Sequence, residues 1–402
     1  MTITTANRAH TLSDRFASRT GVFNESIWTS IFQQFRKHSD PVYFGDGSPA
    51  PEVIPVARLR EASVAAWADA PDSLKYGDQQ GYAPLRELVS SRISQRGIEA
   101  TADEILIAGG STQALDIACR VFLEPGDAVI VESPTFLGAL EIFSLFEVEV
   151  IPVTMDADGM RMDELESILL SHGNAKIIYT IPTFHNPTGI TMSLERRQQL
   201  VALANEHNVA IFEDDPYGEL QYSGEPIPPI RSLDEQVIHF GTFSKTIAPG
   251  VRTGFAIAPP EVMEKMLGIR EVSDISNDRI MMRTLYHASL DFLNDHVAEA
   301  RTLYRARRDV MLESLENEMP TGVTWSQPDG GFFVWVTVPE SIDARDLFDR
   351  AAENGVIVFP GEWFYTNRDV HRNVRLSFST VPEDRIRIGI ERLGTTLREM
   401  LD

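Results

Sequence analysis

The chain has 402 residues, 43% of them hydrophobic and 24% charged, which are ordinary values for a folded protein with more than one core. Its formal charge of −23 would repel nucleic-acid phosphates and anionic lipid heads, so neither is expected as a partner. The single cysteine, Cys119, excludes an internal disulfide or a cysteine metal cluster, and its apolar helical setting reads as a small buried hydrophobe.

The opening "MTITTANRAHTLSDRF" lacks the apolar core of a signal peptide, and no run approaches the roughly 18 apolar residues of a membrane span. A cytoplasmic protein is expected. From about residue 81 helices and strands alternate. "YAPLRELVSSRISQRG" has helical spacing and a glycine stop, "EILIAGG" reads as a buried strand, and "STQALDIACRVFL" as the next helix. The short Val- and Ile-rich runs "DAVIVESP", "VEVIPV", "AKIIYTIP", "VAIFEDD", "QVIHFGTF" and "VRTGFAIAP" complete seven strands, several of them separated by helices such as "SLERRQQLVALANEH". This pattern predicts an α/β fold: a mostly parallel, mixed seven-stranded sheet with helices on both faces. The last two runs have no room between them for a crossover helix, so they are expected to pair antiparallel.

After Pro260 the character changes. A charge-laced helical stretch over about 281–317 leads to "GVTWSQPDGGFFVWVTV", a hairpin around Pro328-Asp329-Gly330-Gly331. The helix "ARDLFDRAAENG", the strands "VIVFPG" and "NVRLSFS", and a last helix opened by Pro382 complete a smaller α+β unit. The expected division is a large domain over 58–285, with 1–57 and 286–402 forming an N-terminal arm and a small domain. A site in the cleft between them is the default.

Chemistry concentrates at the carboxyl ends of the strands, where open α/β sheets bind ligands. "GGSTQ" follows a strand and opens a helix, so Gly110, Ser111 and Thr112 form either a plain cap or an anion cradle suited to phosphate. The lysine of a nucleotide P-loop is missing there. "PTFHNPTG" places Asn186 at the end of another strand. "FEDDPYG" places Asp214 and Tyr217 at the next, where the carboxylate is either a solvated strand end or answered by a cation. Lys245, in "GTFSKTIAPGVRTGF", is one of only five lysines. Beside Thr242 and Ser244 it is poised for imine chemistry, which arginine cannot perform.

Taken in order, "NPTG", "DDPY", "TFSK" with Arg252 seven residues on, and "VRLSFS" resemble the fold-type I pyridoxal-phosphate enzymes of the class I/II aminotransferase family, in the flavour of its 2-aminoadipate and kynurenine aminotransferase group. The resemblance runs from "YFGDGSPAPEVIP" to the last helix. It implies an aminotransferase with pyridoxal 5'-phosphate (PLP) as cofactor, moving an amino group between an amino acid and a 2-oxo acid by a ping-pong cycle. Lys245 would form the internal aldimine and shuttle the Cα proton. Asp214 would keep the pyridine nitrogen protonated, and Tyr217 and Asn186 would bond the ring's phenolic oxygen. Ser111, Thr112, Thr242, Ser244 and Arg252 would hold the phosphate, with Phe136 stacked on the ring. Arg375 would grip the substrate α-carboxylate, and Gly47 would lie close to the substrate. The resemblance further implies a homodimer with shared active sites, in which Tyr76 of "LKYGDQQGY" reaches the neighbouring subunit's phosphate.

Three departures bear on substrate. "NESIWTSIF" puts Trp28 where acidic-substrate members carry an arginine, unless Arg15 or Arg19 takes that part. Phe136 stands where tyrosine is common. "EVSDISNDRIMMRT" is unusually polar, and if that segment lines the partner subunit's site, Asp278 or Arg279 could add a charge to the substrate pocket. The same scaffold also supports PLP-dependent lyases, decarboxylases and oxidases, and non-catalytic sensor domains joined to a DNA-binding module, for which the arm ahead of residue 40 offers no sequence.

Overall fold

Val and Ile at alternating positions build the large sheet, because successive strand side chains point to opposite faces and both faces are covered by helices. The computed structural model describes residues 11–23, 26–37, 40–68 and 70–402. An N-terminal helix α1 (Ile27–Lys37) and a short strand β1 (Val42–Tyr43) precede α2 (Val56–Ala68) and α3 (Ala83–Ser94). Then follow β2 (Ile105–Ala108), α4 (Ser111–Phe122), β3 (Ala128–Ser133), α5 (Leu137–Leu145), β4 (Glu149–Asp156), β5 (Gly159–Met160), α6 (Met162–Ser171), β6 (Ala175–Thr180), α7 (Leu194–His207), β7 (Ala210–Asp214), β8 (Ile238–Thr242) and β9 (Gly254–Ile257). The last part contains α8 (Pro260–Ser273), α9 (Arg279–Ser289), α10 (Leu293–Glu318), β10 (Thr324–Trp325), β11 (Phe333–Thr337), α11 (Ala344–Glu353), β12 (Val356–Ile357), β13 (Phe359–Pro360), β14 (Asn373–Ser377) and α12 (Glu383–Leu401).

The large sheet has the order β2-β9-β8-β7-β6-β3-β4-β5. All seven expected strands are in it, and the eighth, β5, is a two-residue hairpin return at the edge that carries too little pattern to be read in advance. Strands β4, β3, β6, β7 and β8 run parallel, whereas β9 is antiparallel to both β8 and β2. Two reversals in succession restore the direction, so β2 ends at the same edge as β6, β7 and β8. The alternation is visible in β6: Ile177 and Tyr179 pack with Phe212 and Phe240 on one face, and Ile178 packs with Ile130 and Ile211 on the other. Each such aliphatic burial stabilises by roughly 1.5–3 kcal/mol relative to exposure. Cys119 is wholly buried in α4, as its setting implied.

A four-stranded antiparallel sheet, β10-β11-β14-β13, carries the second core, with α10, α11 and α12 packed around it. The stretch from 42 to 48 belongs with this unit: β1 pairs β12, and the Phe44 carbonyl accepts from Ser377 N. The helical stretch expected over about 281–317 is formed by two helices, α9 and α10, separated at Leu290–Phe292, where Asp291 turns into the left-handed region with φ of 51°. Its charge pattern is continuous across the break, which is why the sequence does not show it. Among the described residues no helix is long and apolar enough to cross a membrane.

Candidate active site

The carboxyl ends of β2, β6, β7 and β8 open into a cavity of about 420 Å³. The strand edge and β14 together bring Trp28, Gly47, Ser111, Thr112, Phe136, Asn186, Asp214, Tyr217, Thr242, Ser244, Lys245, Arg252 and Arg375 to its wall. Tyr76 is the exception. It lies outside the cavity of its own chain and is 86% exposed.

Lys245 follows β8 by one turn, half-buried, and its Nζ donates to the Gly47 carbonyl at 3.0 Å. Burial, with the Arg375 guanidinium nearby, brings its pKa down to about 8, against the pull of Asp46 and Asp214. A large share of the amine is therefore nucleophilic near neutral pH.

Asp214 ends β7 within a run of three buried acids, Glu213, Asp214 and Asp215. The outer two are answered. Burial opposes ionisation of Glu213, yet the His239 ring at 2.9 Å and two backbone N–H donors at Ile230 and Arg231 hold it at about 2. Asp215 pairs with Arg96 at 2.5 Å. Asp214 has only the Tyr179 hydroxyl, 2.8 Å from its Oδ2, while its buried Oδ1 has no partner. Burial raises its pKa to about 6, with the Tyr179 bond opposing and Asp215 adding to the rise. A buried, unpartnered carboxylate oxygen aimed at a cavity is suited to a cationic N–H.

One end of the cavity is built from α4 and the turn after β8. Gly110 caps α4 without a side-chain acceptor, leaving the first N–H groups of the helix uncapped. Arg252 reaches across to donate to the Gly109 carbonyl at 2.6 Å, and Thr242 Oγ lies 2.9 Å from Ser244 Oγ. Gly110 has φ of 117°, and a Cβ there would meet Arg252 Nη2 at 2.8 Å. At Gly254, on β9, a Cβ would press on the Gly110 carbonyl carbon at 2.6 Å and the Gly241 oxygen at 2.8 Å. Gly254→Ala is therefore expected to destabilise the fold by about 1–3 kcal/mol, measured by urea unfolding.

Arg375 is buried in β14 and forms no ion pair among the described residues, although the charge of Asp46 is felt there. Nη1 donates to Asn186 Oδ1 at 2.9 Å, Nη2 to the Gly45 carbonyl at 2.8 Å, and Nε has no partner. Phe333, Phe359 and Phe364 surround the guanidinium at 4.1, 4.7 and 4.9 Å from their centroids. Burial lowers its pKa to about 10, so it stays charged at neutral pH and waits for an anion.

Several contributors escaped the sequence. Tyr179 looks like one more core residue of a strand, and the Phe333, Phe359 and Phe364 cage comes from three separated segments that converge only in the folded chain. Trp28 lies at the rim with its ring edge-on to Phe359 at 5.7 Å. Arg19 pairs with Glu147 at 3.9 Å, and neither Arg15 nor Arg19 lines the cavity. Within its own chain Asp278 caps α9 through Met281 N, and Arg279 donates to the carbonyls of Lys75 and Tyr76 and to Asp72.

The model of the family "Aminotransferase class I and II" matches residues 40–393. The chain belongs to the class I and II aminotransferases. This aminotransferase is 41% identical over 370 residues to "Aromatic-amino-acid aminotransferase 1" of Thermococcus litoralis, a match covering 90% of this chain and 89% of that protein. Its fold superposes with a TM-score of 0.91 on Pyrococcus horikoshii kynurenine aminotransferase in complex with PMP, at 39% identity and covering 97% and 98% of the two chains. LysN, the α-aminoadipate aminotransferase of Thermus thermophilus, complexed with N-(5'-phosphopyridoxyl)-L-leucine, gives a TM-score of 0.89 at 31% identity, covering 98% and 99%.

Proposed function

We propose that the protein is a PLP-dependent aminotransferase working by a ping-pong cycle between an amino acid and a 2-oxo acid. One observation carries this reading: a half-buried lysine with a lowered pKa, a buried carboxylate oxygen without a partner and a buried arginine without an anion all face one cavity. Pyridoxal 5'-phosphate, when bound, supplies an aldehyde that exchanges amines and a ring that accepts the electron pair left at the substrate Cα.

The chain's own groups then divide the work. The uncapped N–H groups at Ser111 and Thr112, the hydroxyls of Thr242 and Ser244, and Arg252 would hold the phosphate. Asp214 Oδ1 would accept the ring N–H and keep that proton in place. Tyr217 and Asn186 would bond the ring's phenolic oxygen, and Phe136 would cover one ring face. Lys245 Nζ would make the covalent link and, as a free amine, would take the Cα proton and return it. The planar fork of Arg375 holds the α-carboxylate. Gly47 is bare because a Cβ would meet the Phe333 ring at 3.0 Å.

The site lies in the cleft between a large domain over 58–285 and a smaller unit of 1–57 with 286–402. A homodimer would complete it: Tyr76, whose side chain is exposed and whose carbonyl accepts from Arg279, would reach the partner's phosphate.

The test is to add amino acids singly to the holo-protein and follow the cofactor's absorbance, then add 2-oxo acids and follow its return. Release of ammonia, carbon dioxide or peroxide in place of a 2-oxo acid would overturn the transfer reading. Arg375→Ala is expected to raise KM for both amino acid and oxo acid by roughly 10²-fold, because the buried charge-assisted contact serves every substrate's carboxylate. Unchanged KM values would assign that carboxylate to another group.

A further inference from the structure

Among the described residues, three cations line the cavity: Lys245, Arg252 and Arg375. Under the reading above they are committed to the cofactor aldehyde, its phosphate and the substrate α-carboxylate. Two carboxylates on the same wall have no such task, Asp46 and Glu141.

Asp46 stands at the centre of the site. Its neighbour Gly45 takes Arg375 Nη2 on its carbonyl at 2.8 Å, and its other neighbour Gly47 takes Lys245 Nζ at 3.0 Å. Asp46 Oδ1 accepts from Ser48 N at 2.8 Å, and Ser379 Oγ fixes the same turn through the Ser48 carbonyl at 2.6 Å. Its negative charge is felt at Lys245, Arg375 and Tyr43. Glu141, on α5, sits at the cavity rim with Arg368 as its nearest cationic influence, and the Arg368 guanidinium is stacked 3.8 Å over Trp363 rather than lining the cavity. Within its own chain Arg19 lies 3.9 Å from Glu147, Arg279 donates to the 72–76 segment, and neither lines this cavity.

Building on the aminotransferase reading, we propose that Asp46 is a specificity-determining residue: the side-chain end of the site rejects a second carboxylate and takes amino acids whose side chains are neutral or donate hydrogen bonds. A dicarboxylic substrate would bring its distal charge into a space where this chain's described residues place two anions and no uncommitted cation, and burying an unanswered charge is costly. Trp28 and Phe359, edge to face at 5.7 Å, offer apolar contact in its place.

The experiment measures single-turnover rates of the holoenzyme with phenylalanine, leucine, glutamate and 2-aminoadipate, read from the cofactor's absorbance, for wild type, Asp46→Asn and Glu141→Gln. Asparagine keeps the Oδ1 acceptor for Ser48 N, so the turn persists and only the charge is removed. Wild type is expected to favour the neutral substrates in kcat/KM by at least about tenfold, and Asp46→Asn to narrow that ratio by roughly tenfold, with a smaller narrowing for Glu141→Gln. Wild-type preference for the dicarboxylic acids, or an Asp46→Asn ratio equal to wild type, would overturn the proposal. A holoenzyme whose cofactor responds to none of the four overturns this assignment, and one whose cofactor responds to no amino acid overturns the aminotransferase reading as well.

Discussion

Lys245→Ala is expected to lower turnover by at least ~10³-fold, because one amine both makes the covalent link and moves the proton, and positioned proton transfer alone contributes about 10²–10⁴. The rest of the cavity should survive the change. Among the described residues Nζ makes one hydrogen bond, to the Gly47 carbonyl, and no ion pair, so its removal strands one acceptor. Two readouts separate loss of chemistry from loss of fold. Borohydride reduction of the cofactor-loaded wild type should add the cofactor's mass to the chain, and the alanine variant should gain none. Lys245→Arg should fail equally, since a guanidinium keeps the charge but cannot form the imine. A Lys245→Ala protein that is still trapped by reduction, or still turns over, would place the covalent chemistry on another residue.

Asp214→Asn should move stability and activity in opposite directions. In the cofactor-free chain the carboxylate is buried, has one hydroxyl for company, and titrates near 6 in place of the usual 3.8. Between those values the folded chain holds a proton that the unfolded chain has released, so stability falls as pH rises through that window and the loss is complete above about pH 6. Asparagine removes the penalty while its oxygen still accepts from Tyr179. The cofactor-free variant should therefore be more stable than wild type at pH 7.5, by at most ~3 kcal/mol, and the two should converge towards pH 4. With cofactor bound the order reverses. The ring N–H loses its counter-ion, and turnover should drop on the order of 10²–10³-fold, the scale found when one preorganised electrostatic contact is removed from an active site. Urea melts of the cofactor-free proteins at the two pH values, beside steady-state rates, test both halves. A variant less stable than wild type at pH 7.5 would mean that Asp214 is already satisfied without the cofactor.

The contrast within Glu213-Asp214-Asp215 shows where sequence reading stops. All three acids can be read at a strand end, and all three are buried. Only the folded chain shows that His239 answers the first and Arg96 the third, which leaves the middle one to face the cavity. The same limit applies to Arg375. Its place in "VRLSFS" marked it, but the Phe333, Phe359 and Phe364 cage and the Asn186 contact arise from pairings between distant segments.

Local pattern by itself determined the seven main strands, the mixed sheet, and the lysine, aspartate and glycine-opened helix at strand ends, because side-chain period and turn chemistry act over a few residues. It did not determine the break between α9 and α10, the extra edge strand, or the charge balance of the cavity. Those depend on which groups lie within a few ångströms of each other after folding. Asp46 is the clearest instance: an acid in a glycine-rich loop by sequence, and by tertiary structure a fixed negative charge between the contacts of Lys245 and Arg375.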